Sequence, residues 1–225
     1  GYFFRQTTRT AEQPERYRDF SGGLRIDWTL SDHDMLQANY AFDQYDKSDY
    51  QKLRKLDIRD YSNVRNMFRL LYNHTFGSGD ILTAGADFMH DYLFNTNLDN
   101  TERKQDSFDF FLQYDWRISQ KLEAVGAVRY DYFSDGGESR LTPKLNLCYK
   151  PVRNLSLRAG YGMGFRAPTL KEKYYDFDMA GIWIVEGNAA LKSEISHNLN
   201  LSAEYVKGHY NLTASAYYNK VENKL

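Results

Sequence analysis

Two groups of residues in this sequence have types suited to chemistry: scattered histidines and carboxylates, and a run of aromatic side chains near residue 180. The five histidines, His33, His74, His90, His197 and His209, lack the close spacing of a metal site built on one strand or helix. The single cysteine, Cys148, excludes a Cys-based zinc centre and an internal disulfide. Asp43, Asp46 and Asp49 stand three residues apart in a polar segment that also holds Asp57 and Asp60. So many oxygen donors suit calcium, and a solvated acidic loop would carry the same residues. No G-x-S-x-G elbow, P-loop or dinucleotide fingerprint is present, so no catalytic residue, metal ligand or organic cofactor is assigned. The aromatic run Tyr174, Tyr175, Phe177, Met179, Ile182 and Trp183 is apolar for a loop. Such side chains pack against a flat ligand, fold a loop onto itself or meet a protein partner.

Length and charge bound what these residues can belong to. In 225 residues, 29 Lys+Arg face 30 Asp+Glu, so no net field draws nucleic acid. Mean hydropathy is −0.70, and no stretch approaches the roughly 18–20 apolar residues of a helical membrane span. Yet 16% of the residues are aromatic. Period-two alternation resolves the contradiction. Leu199, Leu201, Ala203 and Tyr205 share one face, with Asn198, Asn200, Ser202 and Glu204 on the other. Tyr210, Leu212, Ala214, Ala216 and Tyr218 repeat the pattern, as do Phe108, Phe110, Leu112, Tyr114 and Trp116. Similar ladders cover about 18–30, 35–45, 62–76, 81–94, 121–133, 140–150 and 154–164, with a partial strand at 2–8. They are long for soluble strands, whose usual length is about five or six residues, and match the roughly ten residues of a tilted bilayer-crossing strand.

Short turns at 31–34, 77–80, 119–121, 151–154 and 207–209 alternate with longer polar connections near 9–17, 46–61, 95–105, 134–139 and 165–194. An aromatic precedes each short turn: Trp28, Phe76, Trp116, Tyr149 and Tyr205. At the opposite strand ends stand Tyr40, Phe42, Tyr92, Phe94, Tyr130, Tyr132, Tyr161 and Phe165. Two aromatic levels flanking an apolar band predict an all-β, antiparallel up-and-down transmembrane β-barrel, with tight turns at one end and loops at the other. Arg25, Arg65, Arg69, Arg117, Arg129 and Arg158 would face the lumen, pairing with acids or guiding an anionic cargo. The chain opens on strand-like text without a secretory signal and ends in polar text after a strand. The expectation is one partial barrel domain over 1–225, of ten to eleven strands, with further wall strands outside it.

The stretch Tyr161-Gly162-Met163-Gly164-Phe165-Arg166-Ala167-Pro168-Thr169-Leu170-Lys171-Glu172 resembles the strand exit of TonB-dependent outer-membrane receptors. Gly187-Asn188-Ala189-Ala190-Leu191-Lys192-Ser193-Glu194 resembles the family's G-N-P-x-L-K-P-E, with Ala189 and Ser193 where proline is usual. The motif residues are thus Phe165, Arg166, Ala167, Pro168, Gly187, Asn188 and Leu191, and the strong part covers about 140–220. The resemblance implies part of a 22-stranded barrel occluded by a plug, in the bacterial outer membrane. It implies a non-enzymatic receptor for a scarce, bulky metal chelate: a cobalamin, haem or iron–siderophore complex. The implied partners are the TonB energy-transducing complex, reached through a plug outside this chain, and a surface lipoprotein. The candidate ligand residues are Arg166, Tyr174, Tyr175, Phe177, Met179 and Trp183. The histidine that haem receptors carry in this loop is absent, leaving Met179 or a tyrosine for axial ligation. Two other readings fit the alternation: a ten-stranded outer-membrane protease or lipase, and a soluble all-β binding module.

Overall fold

The structure, a computed structural model, describes residues 1–7, 14–96, 98, 102–175, 177–179 and 183–224, with backbone alone at 177–179 and 183–185. Ile182 lies outside the described residues, as do the side chains of Phe177, Met179 and Trp183. The strands are β1 (Tyr2–Thr7), β2 (Glu15–Thr29), β3 (Asp34–Gln51), β4 (Leu56–Thr75), β5 (Ile81–Asn95), β6 (Glu102–Trp116) and β7 (Leu122–Phe133). They continue with β8 (Glu138–Val152), β9 (Leu155–Arg166), β10 (Phe177–Met179), β11 (Trp183–Val185), β12 (Glu194–Lys207) and β13 (Tyr210–Glu222); helix α1 is Leu170–Tyr174. Eleven strands form one antiparallel sheet in chain order, with β9 pairing directly to β12; β10 and β11 form a separate hairpin.

Register sorts the strands into two faces, because directly opposed residues share a side. Leu201 lies opposite both Ala159 and Ala216, and Tyr205 opposite Leu155 and Leu212, so their side carries the apolar ladder. All five aromatics before the short turns are on this face and exposed, Trp28 by 62% and Trp116 by 50%. Exposed Leu24, Ile26, Leu112, Leu141, Leu147 and Leu199 fill the level between. So much exposed apolar surface is uphill in water and is the surface a bilayer would cover.

The other face is polar and largely self-neutralised. Arg25 pairs with Asp27 (2.9 Å), Arg69 with Asp87 (2.5 Å), Arg158 with Glu204 (2.9 Å) and Arg65 with Asp91 (3.5 Å). Arg129 bridges Asp109 (2.9 Å) and Asp131 (2.7 Å). Five of the six arginines read as lumenal are therefore held by acids of the wall itself. The sixth, Arg117, sits at a turn, where its backbone N–H donates to Asp80 Oδ1 (2.7 Å). That bond, then the Ser78 hydroxyl, hold the Asp80 carboxyl below the usual carboxylate range and tie two adjacent short turns together.

Two sequence expectations need correction. The polar segment 46–61 is not a long loop: β3 runs to Gln51, β4 starts at Leu56, and a four-residue turn joins them. Short and long connections therefore do not alternate strictly. Charge pairing replaces apolar alternation in this extension, with Arg16 on Asp57 (2.8 Å) and Lys47 on Glu15 (2.8 Å) and Asp60 (3.4 Å). Asp46 accepts from the buried Ser62 hydroxyl (2.6 Å). Of the acids considered for calcium, Asp46, Asp57 and Asp60 are thus held by a hydroxyl or a cation, and among the described residues no group of three or more acids, histidines or cysteines is placed to hold a metal.

Candidate functional site

The one helix forms where the strand signal stops. Pro168, almost fully buried, cannot donate to a ladder, and β9 ends two residues earlier at Arg166. Thr169 then caps α1: the Glu172 N–H donates to Thr169 Oγ1 (3.3 Å), and the Thr169 N–H donates to Glu172 Oε2 (2.8 Å). This reciprocal capping box satisfies amide groups at a helix start. Arg166 Nη2 donates to Glu172 Oε1 at 2.5 Å, so the arginine of the motif fastens the helix to the strand end.

Helix α1 lies on the polar face. Leu170 packs into a small core with Leu93 on β5 and Leu98, against which Tyr61, Tyr174 and Tyr175 also rest. Helix α1 thus reaches from the end of β9 toward β5, four strands away in the sheet, and covers the polar face at its loop end.

Below the helix sits a cationic and aromatic latch. Lys173, 4% exposed, donates to Asp135 Oδ2 (3.0 Å) and to the Asp135 carbonyl (3.2 Å). Tyr174 Oη donates to Asp135 Oδ1 (2.9 Å), and the Arg103 guanidinium lies 4.3 Å from the Tyr174 ring centre. Burial, then the bond to Asp135, raise the Tyr174 phenol above its ordinary value. Asp135 is presented by a β7–β8 turn whose Gly136 and Gly137 have φ of 86° and 64°, values that favour glycine. Lys171 lies 4.7 Å from the Tyr61 ring centre.

The second motif closes on the first. A Cβ at Gly187 would come within 2.7 Å of the backbone nitrogens of Tyr174 and Tyr175, so only glycine allows this approach. The Asn188 N–H donates to the Glu172 carbonyl (3.1 Å), and the Leu191 N–H returns to the Asn188 carbonyl (3.1 Å). The candidate ligand residues thus divide. Arg166 and Tyr174 are engaged in holding the loop, Tyr175 is half-buried, and Phe177, Met179 and Trp183 lie on the β10–β11 hairpin, where Met179 is opposite Trp183. Phe165 meets Phe133 with ring centres 5.9 Å apart, and Ala167 is half-buried between strand and cap. Residues absent from the sequence reading also build the site: Leu93, Leu98, Arg103, Asp135 and Lys173.

The cap gives this loop a pH limit. Burial works to raise the Glu172 pKa, but the Thr169 N–H and the Arg166 guanidinium outweigh it and hold the carboxyl below its ordinary value of 4.5. The stabilisation is therefore present above the ordinary glutamate pKa and is lost as pH falls through the lowered one. Protection of the Lys173 and Tyr175 amides, taken relative to the intrinsic exchange rate at each pH, is expected to fall on acidification below about pH 4. In Glu172→Gln this acid step should vanish; an identical step in that variant would remove Glu172 from the account.

Comparison with known proteins places this arrangement. The family model for TonB dependent receptor-like β-barrels matches residues 2–225. The vitamin B12 transporter BtuB of Photobacterium profundum is 26% identical over 175 residues, 74% of this chain and 27% of its own. Among solved structures, the ferric-catecholate import receptor Fiu of E. coli K12 matches with a TM-score of 0.69 at 12% identity, over 96% of this chain and 42% of its own. The siderophore receptor PirA of Pseudomonas aeruginosa matches with a TM-score of 0.62 at 18% identity, over 92% and 45%. The ferric enterobactin receptor PfeA of the same organism gives 0.60 at 16%, over 97% and 44%. At these identities the structural matches establish the fold. The chain spans about a quarter of the transporter's length and under half of each receptor's.

Proposed function

We propose, from the premise that this chain belongs to the TonB-dependent receptor β-barrel family, that it forms wall and mouth of an outer-membrane receptor taking up a scarce, bulky nutrient. The nutrient is a metal chelate of the cobalamin, haem or iron–siderophore class, moved without chemical change and driven through the TonB complex. One observation carries the reading: α1, at the start of the segment between the two motifs, folds over the polar face at its loop end, bringing Tyr174 and Tyr175 there. A ligand descending on that mouth meets aromatic faces and the Arg103 guanidinium, which suit a flat or anionic chelate. Phe177, Met179 and Trp183, on the hairpin beyond α1, belong to the same segment and are the next ligand-facing candidates. A plug domain outside residues 1–225 would couple the receptor to TonB, and a surface lipoprotein is a second candidate partner at the loops.

The test is uptake of radiolabelled cyanocobalamin, a ferric tris-catecholate and haem by cells expressing the complete receptor. Saturable uptake of one of them, abolished when the TonB complex is inactivated, is the expected result. Uptake of none above background, or uptake indifferent to TonB, would overturn the reading.

A further inference from the structure

The apolar face of the sheet changes character just past its loop-end aromatics. Phe20 lies eight residues from Trp28 along β2, so both point to the same side. Phe3 is directly opposite Phe20, and both rings are exposed. Two residues further toward the loops stand Arg5 and Arg18, again directly opposed. One row beyond, Arg16 is opposite Ser48, and Ser48 is opposite Arg59. Four guanidinium groups therefore occupy this face of β1–β4 within two rows of the aromatic level.

The acids of the same stretch do not balance them. Asp57 takes both Arg16 (2.8 Å) and Arg18 (3.3 Å). Asp46, opposite Arg18, is buried and accepts instead from Ser62 (2.6 Å) and Gln44 (2.8 Å). On β6, Glu102 is engaged by the Tyr92 hydroxyl. Arg5 and Arg59 are exposed and have no carboxylate in ion-pair contact among the described residues. Like charges directly opposed on neighbouring strands repel, so Arg5 against Arg18 is a cost that an anion lying over both would remove.

Height says which anion. Two residues of strand advance about 7 Å, and a tilt of about 40° leaves about 5 Å of that as height above the aromatic level. The headgroup layer of a bilayer is about 5–7 Å deep on each side of the hydrocarbon. Arg5 and Arg18 thus stand within that layer, with Arg16 and Arg59 at its outer edge.

We infer that this arginine patch binds the phosphate groups of lipids in the outer leaflet. A guanidinium fork meets phosphate oxygens two at a time, and the patch continues the surface that a bilayer would cover. The inference rests on the receptor reading for there being a membrane around this face. It is independent of which chelate is transported.

The complete receptor, purified in a zwitterionic detergent, is mixed with bis-phosphorylated lipid A or with lipid A stripped of phosphate, and retained lipid is counted by native mass spectrometry. Retention of the phosphorylated lipid alone is expected. Arg5→Gln/Arg59→Gln breaks no ion pair of the wall, so the heat-dependent gel shift of the folded barrel should stay while affinity for that lipid falls about tenfold. Arg5→Lys/Arg59→Lys should recover part of the loss, because the charge returns without the fork. Equal retention of the two lipids, or an unchanged affinity in the folded glutamine variant, would overturn the inference. Displacement of the lipid by inorganic phosphate at equal concentration would do so too, marking a site for the free anion. Retention is read without transport, so its failure and that of the uptake assay are distinguished.

Discussion

Asp135→Ala is expected to free the mouth loop while leaving the wall folded. The substitution removes one carboxylate that serves two groups at once, the buried Lys173 ammonium at 3.0 Å and the Tyr174 hydroxyl at 2.9 Å. Losing one partner of a buried ion pair leaves an uncompensated charge, at a cost of about 3–5 kcal/mol. Helix α1 has five residues and no stability of its own, so that loss exceeds what its capping box returns. Limited proteolysis should cut the complete receptor within 167–193 far faster than the parent, with an unchanged heat-dependent gel shift. Lys173→Met tests the cause, since it removes the charge and keeps the apolar stem. If Asp135→Ala/Lys173→Met remains as labile as Asp135→Ala, the buried charge is not the reason.

The second large effect is at Gly187. A valine there drives carbon atoms into the backbone at Lys173–Tyr175, with contacts of 2.7 and 2.8 Å that no side-chain rotation relieves. Overpacking of this kind costs about 1–3 kcal/mol, and here it separates the two motifs that close the loop. Ligand affinity of the complete receptor should fall about tenfold for each 1.4 kcal/mol of closed-loop stability lost. Asn188→Ala should do less, because its N–H bond to the Glu172 carbonyl is made by the backbone. Equal losses in both variants would mean that the side chain of Asn188, not the close approach at Gly187, holds the site.

Much of the wall is legible in the sequence alone. β12 and β13 follow the alternation from Leu199 to Tyr205 and from Tyr210 to Tyr218, because a strand solvated on one face must place like residues two apart. The aromatics before each short turn were legible for the same reason. The outer reach of β3 and β4 was not, since those strands are held by Arg16, Lys47 and their acids, and polar strand text reads as loop. Helix α1 left one local sign, Thr169 three residues before Glu172, but five residues are too few for a helical period. The latch was hidden altogether: Asp135 meets Lys173 across 38 residues of sequence, and no spacing rule connects a β7–β8 turn to a loop after β9. Gly187 marked a motif, while its purpose, room for the α1 backbone, needed the fold.

The central claim is that ligand meets the receptor at the mouth closed by the segment between the two motifs. Hydrogen exchange of the complete receptor, with and without a saturating amount of the chelate it takes up, tests this most directly. The account predicts slowed exchange at 169–175 and 187–191, with the short turns at 31–34 and 77–80 unchanged. Protection confined to the short-turn end, or none at either motif while the chelate is bound, would contradict it.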